Sequence, residues 1–503
     1  MKKLKKVKKI STSWSAEELA LYLDGFWEIL PSKKGWNVSL FTTLQLSKLN
    51  RNFDHMDKHM AIVSTNHGIP DWITSVPMGF IVGIDIDFPV DDRPILRVKN
   101  PEDVFYKLAL FGRNRIENFG GSVVAVTGSV GKTSVKDLLS YVLHNFGNVV
   151  NSRGSLNALT EIQWGLAAGV LQPDFTVLEV CENFLAGRQT RTKDLIKPKI
   201  AIITQASLAH ADEIDCVDND EDMARLLCKI VEKMDSDGVV LINREIKHFS
   251  LIKDYVLSLG YLPVSYGIRL NDTKRNDIDV YITSIIENPE NSGSIISAII
   301  YGEEFEFKRP TFSVGMALNS LAVLAAVYHL GLDVKKAAKI LSHAPVTKSR
   351  EETYKIELGN KKDYVEIVDD CYNAQPLSIM ESINTLKFRH PQPGGRKIFI
   401  MGDVTVFKDS RYKDGYFSFV LPFQNSGFDK IFFFGNDVGV LAQVLNPSQV
   451  GGVYVNQELL LEAVFNELRS NDLCVVKVTS AGIKSKNLAL NLINKLNNEY
   501  LIK

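Results

Sequence analysis

The segment VVAVTGSVGKTS, Val123 to Ser134, carries the residue types of a nucleotide-phosphate site. An apolar strand, Val123 to Val126, stops at a glycine-bounded turn, and a helix over Val135 to Leu143 is predicted to follow. Such a helix start presents unpaired N–H groups and a positive dipole end to an anion. Gly128 and Gly131 permit the turn, Lys132 can reach the β- and γ-phosphates, and the Thr133 hydroxyl can bind a magnesium ion bridging them. Ser129 and Ser134 complete the polar residues of this predicted loop. Only Ser129 and Val130 separate the glycines, so the loop is shorter than the ordinary G-x-x-x-x-G pattern.

The elements that must position these residues alternate in type. From Gly120 and Gly121 onward, β-type and helical runs follow one another: VVAV, VKDLLSYVLHNF, EIQWGLAAGVL, FTVLEV and KIAIITQ. This rhythm predicts a mostly parallel sheet with helices on both faces, binding ligands at the carboxyl ends of its strands. Alternating, turn-rich sequence from Val264 to Pro310 predicts antiparallel hairpins appended to that sheet, and a helix over Met316 to Leu330 follows. A second α/β series begins near Pro345, with YVEIVDD, SIMESINTLKF, RKIFIMGD, KIFFFGND, GVYV, a helix from Glu458 to Arg469, and CVVKV. Before Gly120 the patterns are mixed, including the amphipathic AEELALYLDGFWEIL and the run GFIVGIDIDFPV. The expected fold class is α/β, with domains at 1–119, 120–344 and 345–503, and 503 residues suffice for about three cores.

Composition narrows the function. Lys plus Arg number 58 against 59 Asp plus Glu, a formal net charge of −1, so no polybasic field favours nucleic acid or anionic lipid, and a small soluble substrate fits better. No apolar run is long enough to span a bilayer, so no stable membrane insertion is expected. Cys181, Cys216, Cys228, Cys371 and Cys474 form no CxxC pair, which argues against a zinc knuckle or disulfide framework and for the cytoplasm. The lysine-rich MKKLKKVKKI leads into polar Ser11 to Ser15 rather than an apolar segment, and reads as a solvated tail.

Past the loop, Glu179 closes FTVLEV and His210 lies just beyond KIAIITQASLA. A carboxylate, an imidazole and the Thr133 hydroxyl could together hold one or two divalent ions over phosphates, although either residue could equally be structural. His55 and His59 in DHMDKH have the i, i+4 spacing of a metal pair, but their charged neighbours favour a solvated helix face.

With these motifs in order, the chain from about Val123 to its end resembles the Mur ligase superfamily, and most closely its UDP-N-acetylmuramoyl-tripeptide:D-alanyl-D-alanine ligase branch. Family members carry TGxxGKT with this short glycine spacing. The resemblance implies a three-domain Mur-ligase-like architecture, with an N-terminal acceptor-binding domain, a central P-loop sheet and a C-terminal Rossmann-like domain. It implies that Lys132 holds phosphate, that Thr133 and Glu179 bind one magnesium, and that His210 helps to bind a second. SRGSLNALTEI resembles the family's GNLNN segment, which puts Asn157 at the nucleotide and metal edge, with Asn183 also matching. GMALNSLAVLAAVYHLG is similar to the helix whose asparagine reads adenine, here Asn319, and Arg350 in TKSREE takes the place of a phosphate-binding arginine. In IVDDCYNAQPLSI, similar to DDSYNANP, Asp370 would bind ribose while Tyr372 and Asn373 face the reaction centre. MGDVTVF matches a glycine-aspartate strand end around Asp403, and VVKVTSAG a terminal lysine motif through Lys477. Cys371 replaces a family serine and reads as a small buried residue rather than a reactive thiol. Without the resemblance, Asn319 could be an ordinary helix residue, Arg350 a surface charge, and Asp369 with Asp370 an exposed turn.

The implied activity is amide formation driven by ATP with Mg²⁺, through an acyl phosphate, joining an amino acid or peptide amine to a carboxylated cell-envelope or related acceptor. Lys132, His210, Arg350 and Asn373 are the implied catalytic residues, and the expected assembly is a monomer. Charge concentrates during phosphoryl transfer, so cations act there by electrostatic stabilisation and alignment. Two departures stand out. The family's carbamoylated lysine would fall in DMARLLCKIVEKM at Leu226 or Leu227, with Lys229 out of register, and the N-terminal region lacks a clear uridine-recognition pattern. Two further readings are a peptidoglycan precursor ligase adding D-alanyl-D-alanine to a UDP-muramoyl peptide, and a non-catalytic Mur-like nucleotide-binding scaffold or regulator.

Overall fold

The computed structural model describes residues 12–501 apart from 33–34, 44–59, 65–78, 89–91, 153–158, 188–189, 209–213, 215, 270–277, 289–292, 347–348, 359, 373, 409 and 480–486. Two compact units are formed, one from residues 1–126, 143–201 and 230–239, the other from 127–142, 202–229 and 240–503.

In the first unit, helix α1 (Ala16–Leu23) starts at a capping box, in which Ser15 Oγ accepts from the Glu18 N–H and the Glu18 carboxylate accepts from the Ser15 N–H. It stops at Asp24, which is left-handed at φ 54°. The amphipathic AEELALYLDGFWEIL is therefore only half helix. Gly25 lies against the Arg97 carbonyl, where a Cβ would come within 2.6 Å, and the chain leaves as strand β1 (Phe26–Ile29). With β2 (Leu40–Thr43), β3 (Met60–Ser64), β4 (Gly79–Gly83) and β5 (Ile95–Val98) it forms a sheet of order β1-β5-β4-β3-β2, parallel except for β1.

Helix α2 (Val104–Asn118) runs unusually close to the helical segments Leu159–Ala167 and Ala168–Leu171. A Cβ on Gly112 would stand 2.0 Å from the Leu166 carbonyl oxygen, and one on Gly169 2.1 Å from that of Gly112. Neither backbone can retreat without breaking helix hydrogen bonds. Gly112→Ala is expected to destabilise the protein by roughly 3 kcal/mol, near the upper end for overpacking, read as a lowered urea midpoint at unchanged slope.

Strand β6 (Ser122–Thr127) is buried from Val123 onward, as a β-branched run flanked on both faces requires. It joins β7 (Val149–Asn151), β8 (Phe175–Glu179), β9 (Ile200–Ile203), β10 (Val239–Asn243), β11 (Leu262–Ile268), β12 (Val280–Glu287), β13 (Ser294–Ile300) and β14 (Glu303–Arg309) in the order β14-β13-β12-β11-β10-β9-β6-β8-β7. β8 lies parallel to both β6 and β7, with Glu179 opposite Val126. The hairpins expected between Val264 and Pro310 exist for β12, β13 and β14. β11 and β12 instead run parallel, a pairing that a tight hairpin turn cannot make.

Helix α3 (Lys132–Leu143) follows the glycine turn, and α4 (Asp220–Leu227) is capped by Asn219. Helix α5 (Val314–His329) begins where Ser313 Oγ accepts from the Met316 N–H at 3.0 Å, and it is buried nearly all round, as its largely apolar sequence demands.

The C-terminal strands are β15 (Glu352–Leu358), β16 (Asn360–Asp369), β17 (Lys397–Gly402), β18 (Lys430–Phe434), β19 (Val450–Tyr454) and β20 (Leu473–Lys477), in the order β15-β16-β20-β17-β18-β19. Only β15 and β16 are antiparallel. One face packs Phe399, Phe419 and Phe433, the other Cys474, Val476 and Leu492. Helix α6 (Pro376–Phe388) belongs to this half. Asp403, at the end of β17, accepts from the N–H groups of Asn436, Asp437 and Val438 and so ties down the turn after β18. The architecture is α/β with parallel-dominated sheets, as expected. Among the described residues, no helix is long and apolar enough to cross a membrane.

Candidate nucleotide and ligation site

The sequence between β6 and α3 folds into a cradle. Gly128 and Gly131 adopt φ 134° and 92°, and a Cβ on Gly128 would lie 2.2 Å from Thr204 Oγ1. Only glycine fits this backbone and this space. Lys132, Thr133 and Ser134 are buried in the first turn of α3, and the Lys132 ammonium donates to the Gly128 carbonyl, so the charge folds over the loop. A tight glycine turn, a helix start and a buried ammonium together suit a phosphate. Glu179 is buried at the end of β8, where its N–H donates to Ser152 Oγ at 2.9 Å.

The hydroxyl of Thr133 and the carboxylate of Glu179 are the hard oxygen donors magnesium prefers. Among the described residues, no group of three His, Cys, Asp or Glu side chains could hold a metal alone.

Sequence reasoning missed the second wall of the cradle. Thr204 donates through its N–H to Thr127 O at 3.0 Å and through Oγ1 to Val130 O at 2.6 Å. Ser129 donates through its N–H to Gln205 O at 2.8 Å and through Oγ to Ser207 O at 2.8 Å, while accepting from the Ser207 N–H at 2.9 Å. The signal lay in KIAIITQASLAH, whose polar TQAS follows the strand directly. Asn319, on α5, also reaches the loop: a Cβ on Gly131 would meet its Oδ1 at 2.9 Å. Asn183 lies in the short helix Glu182–Ala186 that follows Glu179. Leu226 and Leu227 are buried in α4, and Lys229 is half-buried just past it. His210, Asn157, Asn373, His55, His59 and the lysine-rich start lie outside the described residues.

A second group of polar residues gathers at the ends of β16 and β20. Asp369 and Asp370 are buried, which corrects the reading of an exposed turn. Lys477 Nζ lies 2.7 Å from Asp370 Oδ2, and Ser382 Oγ donates to the same oxygen at 2.6 Å. Asp369 accepts from Ser349 Oγ at 2.9 Å and from the Cys371 N–H at 3.1 Å. Arg350 is no loose surface charge: its guanidinium sits 3.9 Å from the centroid of the Tyr372 ring, and the Tyr372 N–H donates to Ser349 O at 2.9 Å. Ser349 and Glu351, on either side of it, are both left-handed, at φ 56° and 57°. Burial, followed by Asp369, pushes the Cys371 thiol up, which suits a small buried residue and not a nucleophile.

Two carboxyls here escaped sequence reasoning, because a glutamate in TKSREE or SIMES carries no signal of its own. Burial, then Asp370, pushes Glu351 up to about 8, against the lowering effects of a Ser313 hydrogen bond and of Lys477. Burial likewise pushes Glu381 up to about 7, opposed by Lys477 and aided by Asp370. Both residues keep part of their surface exposed, so it is the enclosure of their carboxyl ends that matters.

The Mur ligase middle domain family matches residues 126–327. The UDP-N-acetylmuramoyl-tripeptide--D-alanyl-D-alanine ligase of Rickettsia prowazekii is 24% identical over 419 residues, 83% of this chain and 87% of that protein. The crystal structure of MurF from Acinetobacter baumannii superposes with a TM-score of 0.74 at 18% identity, over 96% of this chain and 99% of that one. MurF from Thermotoga maritima, solved in complex with ADP, gives 0.65 at 19% identity, over 84% and 90%. The superpositions speak for the fold alone, and the family match is to residues 126–327. The chain thus contains a Mur ligase middle domain, residues 126–327, within a fold shared with Mur ligases, and resembles the UDP-N-acetylmuramoyl-tripeptide:D-alanyl-D-alanine ligase branch of that superfamily.

Proposed function

We propose that the protein is an ATP-dependent carboxylate-amine ligase that forms ADP and phosphate by way of an acyl phosphate. The observation that carries this reading is the glycine cradle with buried Lys132 and Thr133, backed by Thr204 and joined by Asn319. In this reading residues 1–119 bind the acceptor, 120–344 bind ATP and 345–503 close over the nucleotide. An amine does not displace oxide from a carboxylate unaided, so the γ-phosphoryl group must first be moved onto it. Lys132 and Arg350 stabilise the charge that gathers on the transferring group. Thr133 and Glu179 would hold a magnesium ion, with His210 assigned to a second, and such ions would neutralise further charge on the phosphates. Asn319 is assigned to the adenine, and Gly128, Gly131, Ser134 and Asn157 to the phosphate and metal edge. Among the described residues, Lys477 and Ser382 both meet Asp370 on Oδ2, and Oδ1 is assigned to a ribose hydroxyl. Tyr372 and Asn373 are assigned to the reaction centre, where exclusion of water protects the acyl phosphate.

The names of the relatives make D-alanyl-D-alanine and a UDP-N-acetylmuramoyl tripeptide the first amine and acceptor to try, within a wider panel of amino acids and carboxylated sugars. With Mg²⁺ and the right pair, ADP, phosphate and an amide are expected in equal amounts. AMP formation would sink the acyl-phosphate route. Tight ATP binding with no amide across the panel would favour the scaffold reading instead.

A further inference from the structure

We propose that Thr204 and Ser129 are positioning residues that fasten the phosphate loop to the segment Thr204–Ser207, holding the anion cradle in its binding shape before nucleotide arrives. The proposal rests on the nucleotide reading of the loop and deepens it. The hydroxyl and N–H of Ser129 are both consumed by the facing segment, one by Ser207 and the other by Gln205. Ser129, assigned to the cofactor by the sequence, therefore acts through the shape of the loop and not by touching phosphate.

Thr204 does the corresponding work on the other side. It is buried, its Oγ1 bonds the Val130 carbonyl, and its own carbonyl is held by Asn243 Nδ2 at 2.7 Å, so the staple is anchored in the next strand. The missing Cβ of Gly128 is what lets Thr204 Oγ1 approach. A short loop with two left-handed glycines has many other conformations open to it, and hydrogen bonds from a neighbouring strand end remove them. A ligand then meets a preformed site and does not have to order it.

The test uses Thr204→Val, which keeps the shape and loses the hydroxyl, Thr204→Ser, which keeps the hydroxyl and loses the methyl, and Ser129→Ala. Hydrogen exchange of the Ser129–Lys132 amides is followed in the ligand-free protein, and MgADP affinity is measured by calorimetry. Thr204→Val and Ser129→Ala are expected to speed exchange in the loop and weaken MgADP about tenfold, the equivalent of one hydrogen bond, with the thermal midpoint nearly unchanged. Thr204→Ser is expected to stay within about threefold of wild type. Wild-type exchange in both Thr204→Val and Ser129→Ala would overturn the proposal, as would a Thr204→Ser variant as weak as Thr204→Val. If the wild-type protein failed to bind MgADP, the nucleotide reading would fall, while the exchange arm would still decide whether the staple orders the loop.

Discussion

Replacing Lys132 with alanine is expected to lower ATP-dependent amide formation by roughly a hundred- to a thousandfold while leaving the fold intact, since a preorganised donor to developing charge is typically worth that much. Lys132 is buried at the first turn of α3 and its ammonium already folds over the loop it would serve, so its charge stands at the cradle before a nucleotide arrives. Water is largely excluded there, which strengthens the interaction. Alanine is a good helix former, and the loop remains held through Ser129 and Thr204, so the thermal midpoint is expected to move by only a few degrees. Measuring product by chromatography alongside circular dichroism separates the two effects. Undiminished turnover in a folded Lys132→Ala protein would remove the phosphate-site assignment and the ligase mechanism built on it.

The second large effect is expected at Lys477. Its ammonium faces Asp370 at 2.7 Å and acts on the carboxyl groups of Glu351 and Glu381 as well, so its charge bears on a cluster of three carboxyls. Arg389 lines a small cavity with Glu351 and Asp370 but is committed to Glu366 at 2.7 Å. Lys477→Met keeps the apolar stem and removes the charge, which leaves Asp370 with Ser382 as its remaining side-chain partner. Breaking a buried pair in this way costs about 3–5 kcal/mol, visible as a large fall in the urea midpoint.

The cluster also gives the wild-type protein a pH dependence of definite sign. Glu351 and Glu381 hold their protons more tightly when folded than when unfolded, so between the ordinary carboxylate range and about 8 the native state binds the extra protons. Their contribution is present at low pH and declines as pH rises through that window. Glu351→Gln, which cannot ionise, is expected to flatten the decline and to be the more stable protein above about pH 8. An unchanged pH slope in Glu351→Gln would show that Glu351 is ionised throughout.

Much of this site was legible in order along the chain. VVAVTGSVGKTS reads as a strand, a turn and a helix because each change of residue type forces a change of backbone, and local rules suffice for that. The apolar strands of both α/β series were equally plain, since a strand buried on both faces needs an unbroken run. Boundaries were less so. AEELALYLDGFWEIL keeps an amphipathic pattern past Asp24, yet the helix ends there because Gly25 packs on the Arg97 carbonyl, a residue 72 positions away in sequence. The parallel pairing of β11 with β12 was hidden for the same reason, since a turn-rich stretch fits either direction.

By itself the sequence determined the strand, glycine turn and helix of VVAVTGSVGKTS, the order of motifs after it and the α/β class, because these follow from backbone preferences and burial over a few neighbouring residues. Only the tertiary structure decided which side chains share a charge environment. It set Thr204 and Ser207 against the loop, buried Asp370 with Lys477, and enclosed the carboxyl ends of Glu351 and Glu381 beside them. Desolvation and Coulomb forces depend on distance in space, and a residue 107 positions away along the chain, as Lys477 is from Asp370, leaves no local trace of that distance.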